Sequence, residues 1–305
     1  MELRLDSNVF IQNMATNGGA LYLSNKQNYG KSEERPLNIL NNSFKFNKAE
    51  NFGGAIYSEF DQLHLAVTSN NNITYNKAGI IGAGLFTPSL VQRNLFNVKN
   101  DNIANNTVNS YINNYSTKPS YIMLNTTSKE GTFNITSGDY LPLKYLLYDE
   151  YNSVVEDITK YYSEIFLRIE LKYDEESTRI HLFGNTCSFN NGRCEFNKLR
   201  IFANPGVYFF SISIENYNEE IKFNYNEIIV NINSCNENQI KLYGKDDILY
   251  CENAKCNEKC PVDNKATCKP TSKDVTKNDP ELNKCECNIG WEGNYCTKKS
   301  YINFK

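Results

Sequence analysis

Six of the ten cysteines crowd the C-terminal end, at Cys256, Cys260, Cys268, Cys285, Cys287 and Cys296, with 3, 7, 16, 1 and 8 residues between successive members. Thiols so closely spaced support two chemistries: they oxidise in pairs to disulfides, or as thiolates they ligate zinc. Zinc sites draw on CxxC pairs and histidines. The candidates here are Cys285-x-Cys287 and Cys256-x(3)-Cys260, and the two histidines, His64 and His181, lie far upstream. The spacing favours a disulfide framework, and such a framework requires an oxidising compartment. Upstream, Cys187 and Cys194 flank the turn Asn190-Asn191-Gly192. That placement predicts a bridge between neighbouring strands of one hairpin rather than a reactive thiol pair.

The other groups able to do chemistry are scattered. Cleavage of a polysaccharide needs clustered acids, or an acid with a basic group. Asp6 and Asp61 do not recur at equivalent repeat positions, and His64 stands alone. His181 reads as a half-buried strand residue without a Ser-His or Cys-His partner. The cluster Asp174-Glu175-Glu176 lacks the ligand spacing of a calcium loop and reads as a solvated turn. No catalytic, metal or cofactor site is predicted, and the chain reads as a non-enzyme.

The elements that would carry these residues are strands. At 305 residues and 35.0 kDa the chain exceeds one domain of roughly 100 to 200 residues. A net charge of -3, from 32 Lys plus Arg against 35 Asp plus Glu, excludes the strongly basic footprint of a nucleic-acid-binding protein. The richness in Asn, Tyr and Phe favours strands and turns, so an all-β protein is expected. Met1 to Phe10 lacks the apolar stretch of a secretory signal, and apolar runs such as Val207 to Ile214 reach only strand length. An export signal and any membrane anchor are therefore expected outside this chain, which reads as a fragment touching a membrane only through such a segment.

The first 117 residues repeat. Phe10-Ile11-Gln12-Asn13-Met14-Ala15 leads to Gly18-Gly19-Ala20-Leu21-Tyr22, and Phe44-Lys45-Phe46-Asn47-Lys48-Ala49 leads to Gly53-Gly54-Ala55-Ile56-Tyr57. A third copy, Ile73-Thr74-Tyr75-Asn76-Lys77-Ala78, leads to Gly82-Ala83-Gly84-Leu85-Phe86, and a fainter fourth spans Phe96 to Asn106. The Asn recurs after 34 and 29 residues, a length that suits one coil of a parallel β-solenoid. Gly supplies positive φ or close approach, Asn is expected in the left-handed region of the corner, and stacked Asn side chains are expected to bond to one another. The FxxN and GGA pattern resembles the repeat of the polymorphic outer membrane proteins, a β-helix family of surface adhesins.

Residues 118–234 change character. Strands are predicted at Tyr121 to Leu124, Thr132 to Ile135, Leu143 to Leu147, Ile165 to Leu171, Arg179 to Leu182, Arg193 to Ile201, Gly206 to Ile214 and Glu227 to Ile232. That number over this length argues for an immunoglobulin-like β-sandwich, and Pro205-Gly206-Val207-Tyr208-Phe209-Phe210 resembles the late strands of extracellular Ig-like folds.

The segment Cys287-Asn288-Ile289-Gly290-Trp291-Glu292-Gly293-Asn294-Tyr295-Cys296 resembles the end of an EGF-like domain, which would span 256–296. The resemblance implies the pairs Cys256–Cys268, Cys260–Cys285 and Cys287–Cys296. Cys235 and Cys251 are then expected to pair within a linker at 235–255, and 297–305 reads as a tail. Asn253-Ala254-Lys255 ahead of the first of these cysteines lacks the acids of a calcium-binding variant. Sequons stand at Asn41, Asn72, Asn105, Asn114, Asn125 and Asn134 as candidate glycosylation sites. The order of modules looks like that of large surface proteins of lower eukaryotes. It implies an extracellular adhesion or recognition stalk with a protein or glycan partner at the cell surface. The alternatives are the ligand-sensing ectodomain of a seven-helix receptor-like protein and a carbohydrate-active β-helix enzyme.

Overall fold

A computed structural model describes residues 3–24, 37–60, 63, 66–88, 96–128, 130–172, 179–244, 246–262, 264–271 and 277–300. Asp61, His64 and Asp174 to Glu176 lie outside the described residues. The protein is all-β: among the described residues its regular structure is strands, with a 3-10 turn at Val98–Asn100.

The repeats wind into coils that stack through parallel pairing. One sheet joins Leu3–Asp6, Leu37–Leu40 and Val67–Ser69; a second joins Val9–Ile11, Ser43–Lys45, Asn72–Thr74 and Asn102–Ala104. A third joins Leu21–Leu23, Ile56–Ser58, Leu85–Thr87 and Tyr115–Thr117. In-register stacking places Phe10 on Phe44, Phe44 on Ile73 and Ile73 on Ile103. Phe44 and Ile73 are buried with Leu37, Ile39, Ile56 and Leu85 in the interior of the stack. The glycine pair works as two different devices. Gly53 adopts φ +65, whereas a Cβ on Gly54 would stand 2.2 Å from the Ala83 carbonyl oxygen of the next coil.

The corners differ from the expectation. Asn13, Asn47 and Asn76 are not among the left-handed residues; the preceding Gln12, Phe46 and Tyr75 are, with φ 56, 57 and 59. The amides turn inward instead, where satisfying one another outweighs their tolerance of unusual backbone. Asn13 donates to Asn47 Oδ1, Asn47 to Asn76 Oδ1 and Asn76 to Asn106 Oδ1, at 2.8 to 2.9 Å. The fourth coil closes differently, by a short hairpin of Thr107–Val108 with Tyr111–Ile112, after which Asn114 Oδ1 accepts the last amide of the ladder from Asn106.

Beyond Lys118 two sheets face each other. One contains Arg193–Phe196, Leu143–Tyr148, Tyr121–Leu124 and Lys222–Phe223; the other contains Thr132–Thr136, Glu227–Asn233, Gly206–Glu215, Phe166–Leu171 and Thr186–Ser188. Tyr145, Leu147 and Ile122 from the first meet Leu167, Ile169, Phe210 and Val230 from the second in one core. The single strand expected at Arg193 to Ile201 is two. Residues 193–196 pair in the four-stranded sheet, then a turn redirects the chain so that Arg200–Ala203 pairs with Ile180–Phe183. Cys187 and Cys194 therefore do not sit on paired strands of one hairpin. Cys187 belongs to the five-stranded sheet and Cys194 to the four-stranded one, and their disulfide ties the two sheets at their edges. His181 is exposed rather than half-buried, its Nε2 3.2 Å from Asp246 Oδ2.

The region expected as a linker is itself structured. Gln239–Tyr243 and Leu249–Asn253 form a hairpin, closed by Cys235–Cys251. It docks on the preceding sheets through Cys251 N–H to the Ser137 carbonyl at 2.8 Å and Leu249 N–H to Asn204 Oδ1 at 3.0 Å. The last segment joins Cys256 to Cys268, Cys260 to Cys285 and Cys287 to Cys296 around a small core of Cys260, Ala266, Cys296 and Trp291. Lys298–Lys299, expected in the tail, pairs with Trp291–Glu292.

Candidate functional site

The coil stack and the paired sheets share a core. Tyr22, Tyr57 and Phe86 stack along the third sheet, and Tyr57 and Phe86 are buried against the second unit together with Ile81. Most of this aromatic face is covered. Tyr22 alone of the three rings remains exposed, at 47%. The junction is sealed by Asp149, fully buried, whose carboxylate accepts from Ser116 Oγ and the backbone N–H groups of Thr117, Tyr151 and Ser153. Burial pushes its pKa above the ordinary carboxylate value, while these four hydrogen bonds pull the other way.

The surface that stays open lies at the corner of the coils. Phe46 and Tyr75 project there, 55% and 51% exposed, with ring centroids 5.6 Å apart and planes 17° apart. Both are bulky aromatics held in the left-handed region, a conformation that such residues adopt at a cost of about 1–3 kcal/mol each. Two residues on, across the inward Asn, Lys48 and Lys77 stack in register and are exposed. Neither lysine has a carboxylate within ion-pair reach among the described residues. Both lysines line a cleft of about 520 Å³ whose other residues include Ala49, Glu50, Ala78, Thr107, Asn109 and Ser110.

Sequence reasoning quoted these residues as parts of a repeat and assigned them no role. A signal was present: Phe46-Asn47-Lys48-Ala49 and Tyr75-Asn76-Lys77-Ala78 are one motif repeated after 29 residues. It also missed a second amide ladder, Asn8 to Asn42, Asn42 to Asn71 and Asn71 to Asp101, at 2.9 to 3.1 Å. Its spacing of 34, 29 and 30 residues is visible in Asn8, Asn42, Asn71 and Asp101.

The candidate glycosylation sites separate by exposure. Asn41 and Asn105 are exposed at left-handed corners, with φ 55 and 57. Asn125 and Asn134 are exposed on the second unit, Asn134 Oδ1 accepting from Asn231. Asn72 is half-buried within the second sheet of the stack, where its Oδ1 accepts from Asn102, and half-buried Asn114 ends the inner ladder. Among the described residues no three His, Cys, Asp or Glu side chains gather as metal ligands, and no helix is long and apolar enough to cross a membrane.

No protein-family model matches the chain, and no curated protein matches it. Among solved structures, surface layer protein SbsC, domains 1-6, aligns at 10% identity with a TM-score of 0.27. The alignment covers 54% of this chain and 21% of that one, so this chain spans about a fifth of that structure, and a likeness so low carries no argument about fold or role.

Proposed function

We propose that this chain is a non-catalytic recognition or adhesion stalk of an extracellular, cell-surface protein. It is built from parallel β-helix coils, an Ig-like sandwich and an EGF-like module, with a protein or glycan partner. The observation that carries the reading is the continuous core across the junction, where Tyr57, Ile81 and Phe86 of the coils pack with Leu147, Tyr162 and Ile165 of the sheets. Hydrophobic burial of this kind favours a fixed geometry over a hinged pair of modules. A stiff element that presents side chains at a fixed spacing suits a stalk.

The five disulfides support the extracellular assignment, since bridges of this density persist in oxidising compartments. A module as small as 256–296 buries too little apolar surface to fold alone, and three bridges at roughly 2–4 kcal/mol each offset that deficit. Among the described residues His181 pairs with Asp246 on an exposed surface.

The test is to produce the oxidised chain and measure saturable binding to intact cells and extracellular matrix alongside assays for polysaccharide hydrolysis and elimination. Binding without turnover is expected. Turnover that disappears on Asp61→Asn or His64→Ala would overturn the assignment in favour of a carbohydrate-active enzyme.

A further inference from the structure

We propose that the strip formed by Phe46, Lys48, Tyr75 and Lys77 binds a linear acidic glycan that runs along the axis of the coil stack, its acidic groups meeting the lysines of successive coils. The inference rests on the reading of the chain as a non-catalytic recognition stalk.

Periodicity is the first argument. Lys48 and Lys77 occupy the same position in adjacent coils, as do Phe46 and Tyr75. Adjacent strands stand about 4.8 Å apart, comparable with the length of one sugar unit, so a surface whose cations repeat meets a polymer whose acidic groups repeat. The same position holds Met14 and Thr107 in the flanking coils, so the match is to two adjacent acidic groups, one for each lysine.

Ring geometry is the second. Because Phe46 and Tyr75 are stacked, each covers one face of the other, and the exposed surface includes ring edges. Edges carry the positive end of the aromatic quadrupole and attract oxygen anions, whereas neutral sugars stack on open faces. Edges and lysines thus select the same sign of charge. The cleft that the lysines line supplies hydroxyl and amide groups from Thr107, Asn109 and Ser110 for sugar hydroxyls. Glu50, on the same cleft, limits the charge density that the surface accepts. Together with a net charge of -3, it disfavours a nucleic acid and suits a glycan with one acid per unit.

Backbone strain is the third. The equivalent positions Gln12 and Asn105 hold polar residues in the same left-handed conformation. The fold therefore does not need an aromatic there, and an exposed, strained aromatic points to a role at the surface.

Isothermal titration of the full oxidised chain with an oligogalacturonate, and with its carboxyl-reduced neutral counterpart, tests the proposal. Saturable binding of the acidic oligomer is expected, weakened by salt, with the neutral form bound at least about tenfold more weakly. The K48A/K77A double variant is expected to lose about tenfold in affinity. The F46N/Y75N double variant is expected to bind more weakly while its Tm rises, because Asn suits the left-handed region. That combination separates lost contact from lost fold. Equal binding of both oligomers, unchanged binding by either variant, or tighter binding of a single-stranded DNA or an acidic peptide of equal charge would each overturn the proposal. Shortening of the oligogalacturonate during incubation would overturn the non-catalytic reading instead, and lack of binding without turnover would sink the strip alone.

Discussion

The first three coils each turn twice through a left-handed residue followed by a ladder Asn, and the two corners share their backbone while differing in sequence. At the first, the left-handed residues are Ser7, Asn41 and Asn70, with φ 59, 55 and 57, leading into Asn8, Asn42 and Asn71. At the second they are Gln12, Phe46, Tyr75 and Asn105, with φ 56, 57, 59 and 57, leading into Asn13, Asn47, Asn76 and Asn106. Asn and Ser are short polar residues that suit such a turn, and Asn visits the left-handed region readily. Phe and Tyr do not. The inner half of each corner is set by the need to satisfy buried amides, and it is nearly invariant from coil to coil. The outer half is free to vary, and its departures from the comfortable choice, Phe46 and Tyr75, are the positions of the proposed binding strip.

The comparison breaks first, and by the largest effect, at the ladders. Asn71 and Asn76 are 2% and 0% exposed, and each accepts from the preceding coil while donating to the next. Alanine at either position leaves several buried donors and acceptors unpaired, and a loss of about 3 kcal/mol is expected in urea unfolding of the disulfide-intact chain. The two losses should agree within about 1 kcal/mol. A large inequality would mean that the corners are not equivalent inside.

Exchanging the outer residues sharpens it next. Asn41→Phe is expected to cost about 1–2 kcal/mol and Phe46→Asn to stabilise by up to about 1 kcal/mol, read by the same unfolding measurement. Equal and small effects at both positions would show that the stacked rings repay their strain.

At the end of the first ladder Asp101 stands where the second has Asn106, and its Oδ1 accepts from both the backbone N–H and the side-chain amide of Asn71. Asn retains that acceptor, so Asp101→Asn is expected to change stability by less than about 0.5 kcal/mol at neutral pH.

The smallest effect is titration at the first corner. Asn41, Arg4 and Ser7 hold the Asp6 carboxyl at about 2, below the ordinary 3.8. A depressed folded-state pKa contributes stability above pH 3.8 that is lost as the pH falls through about 2. A carboxyl NMR titration should place Asp6 near this value and show it rising in Asn41→Phe, which removes the amide that donates to Asp6 Oδ1. Asp149 has the opposite sign. Its folded-state pKa is raised, so its contribution is present at low pH and lost as the pH rises from 3.8 through the raised value, a slope that Asp149→Asn should abolish.

Much of the strand content was legible because its signals are local. Leu143 to Leu147 and Glu227 to Ile232 are apolar-rich runs of strand length, and each lies within an observed strand. Arg193 to Ile201 also looks continuous to a local pattern, yet Asn197 and Lys198 turn the chain into another sheet. The hairpin at Asn190-Asn191-Gly192 was legible as a turn, with Asn191 and Gly192 at φ 51 and 70. That its two flanks enter different sheets was not, since sheet membership depends on distant partners such as Leu167 and Tyr145. Of the candidate site, the repeat carried Lys48 and Lys77 openly. Their exposure, and the burial of Tyr57 and Phe86 in one core with the second unit, are properties of the tertiary packing.

The amino-acid sequence alone determined what periodicity and covalent chemistry encode: the coil length, the recurrence of Asn13, Asn47 and Asn76 from coil to coil, the all-β character and a cysteine spacing that calls for bridges. These follow from steric and bonding rules acting over a few residues, or from a pattern repeated at fixed intervals. Only the tertiary structure decided which face of the coils is covered, which sheets the Cys187–Cys194 bridge joins and which corner side chains remain open to a partner. Those outcomes are set by competition for burial among segments far apart in the chain. No local pattern records which competitor wins.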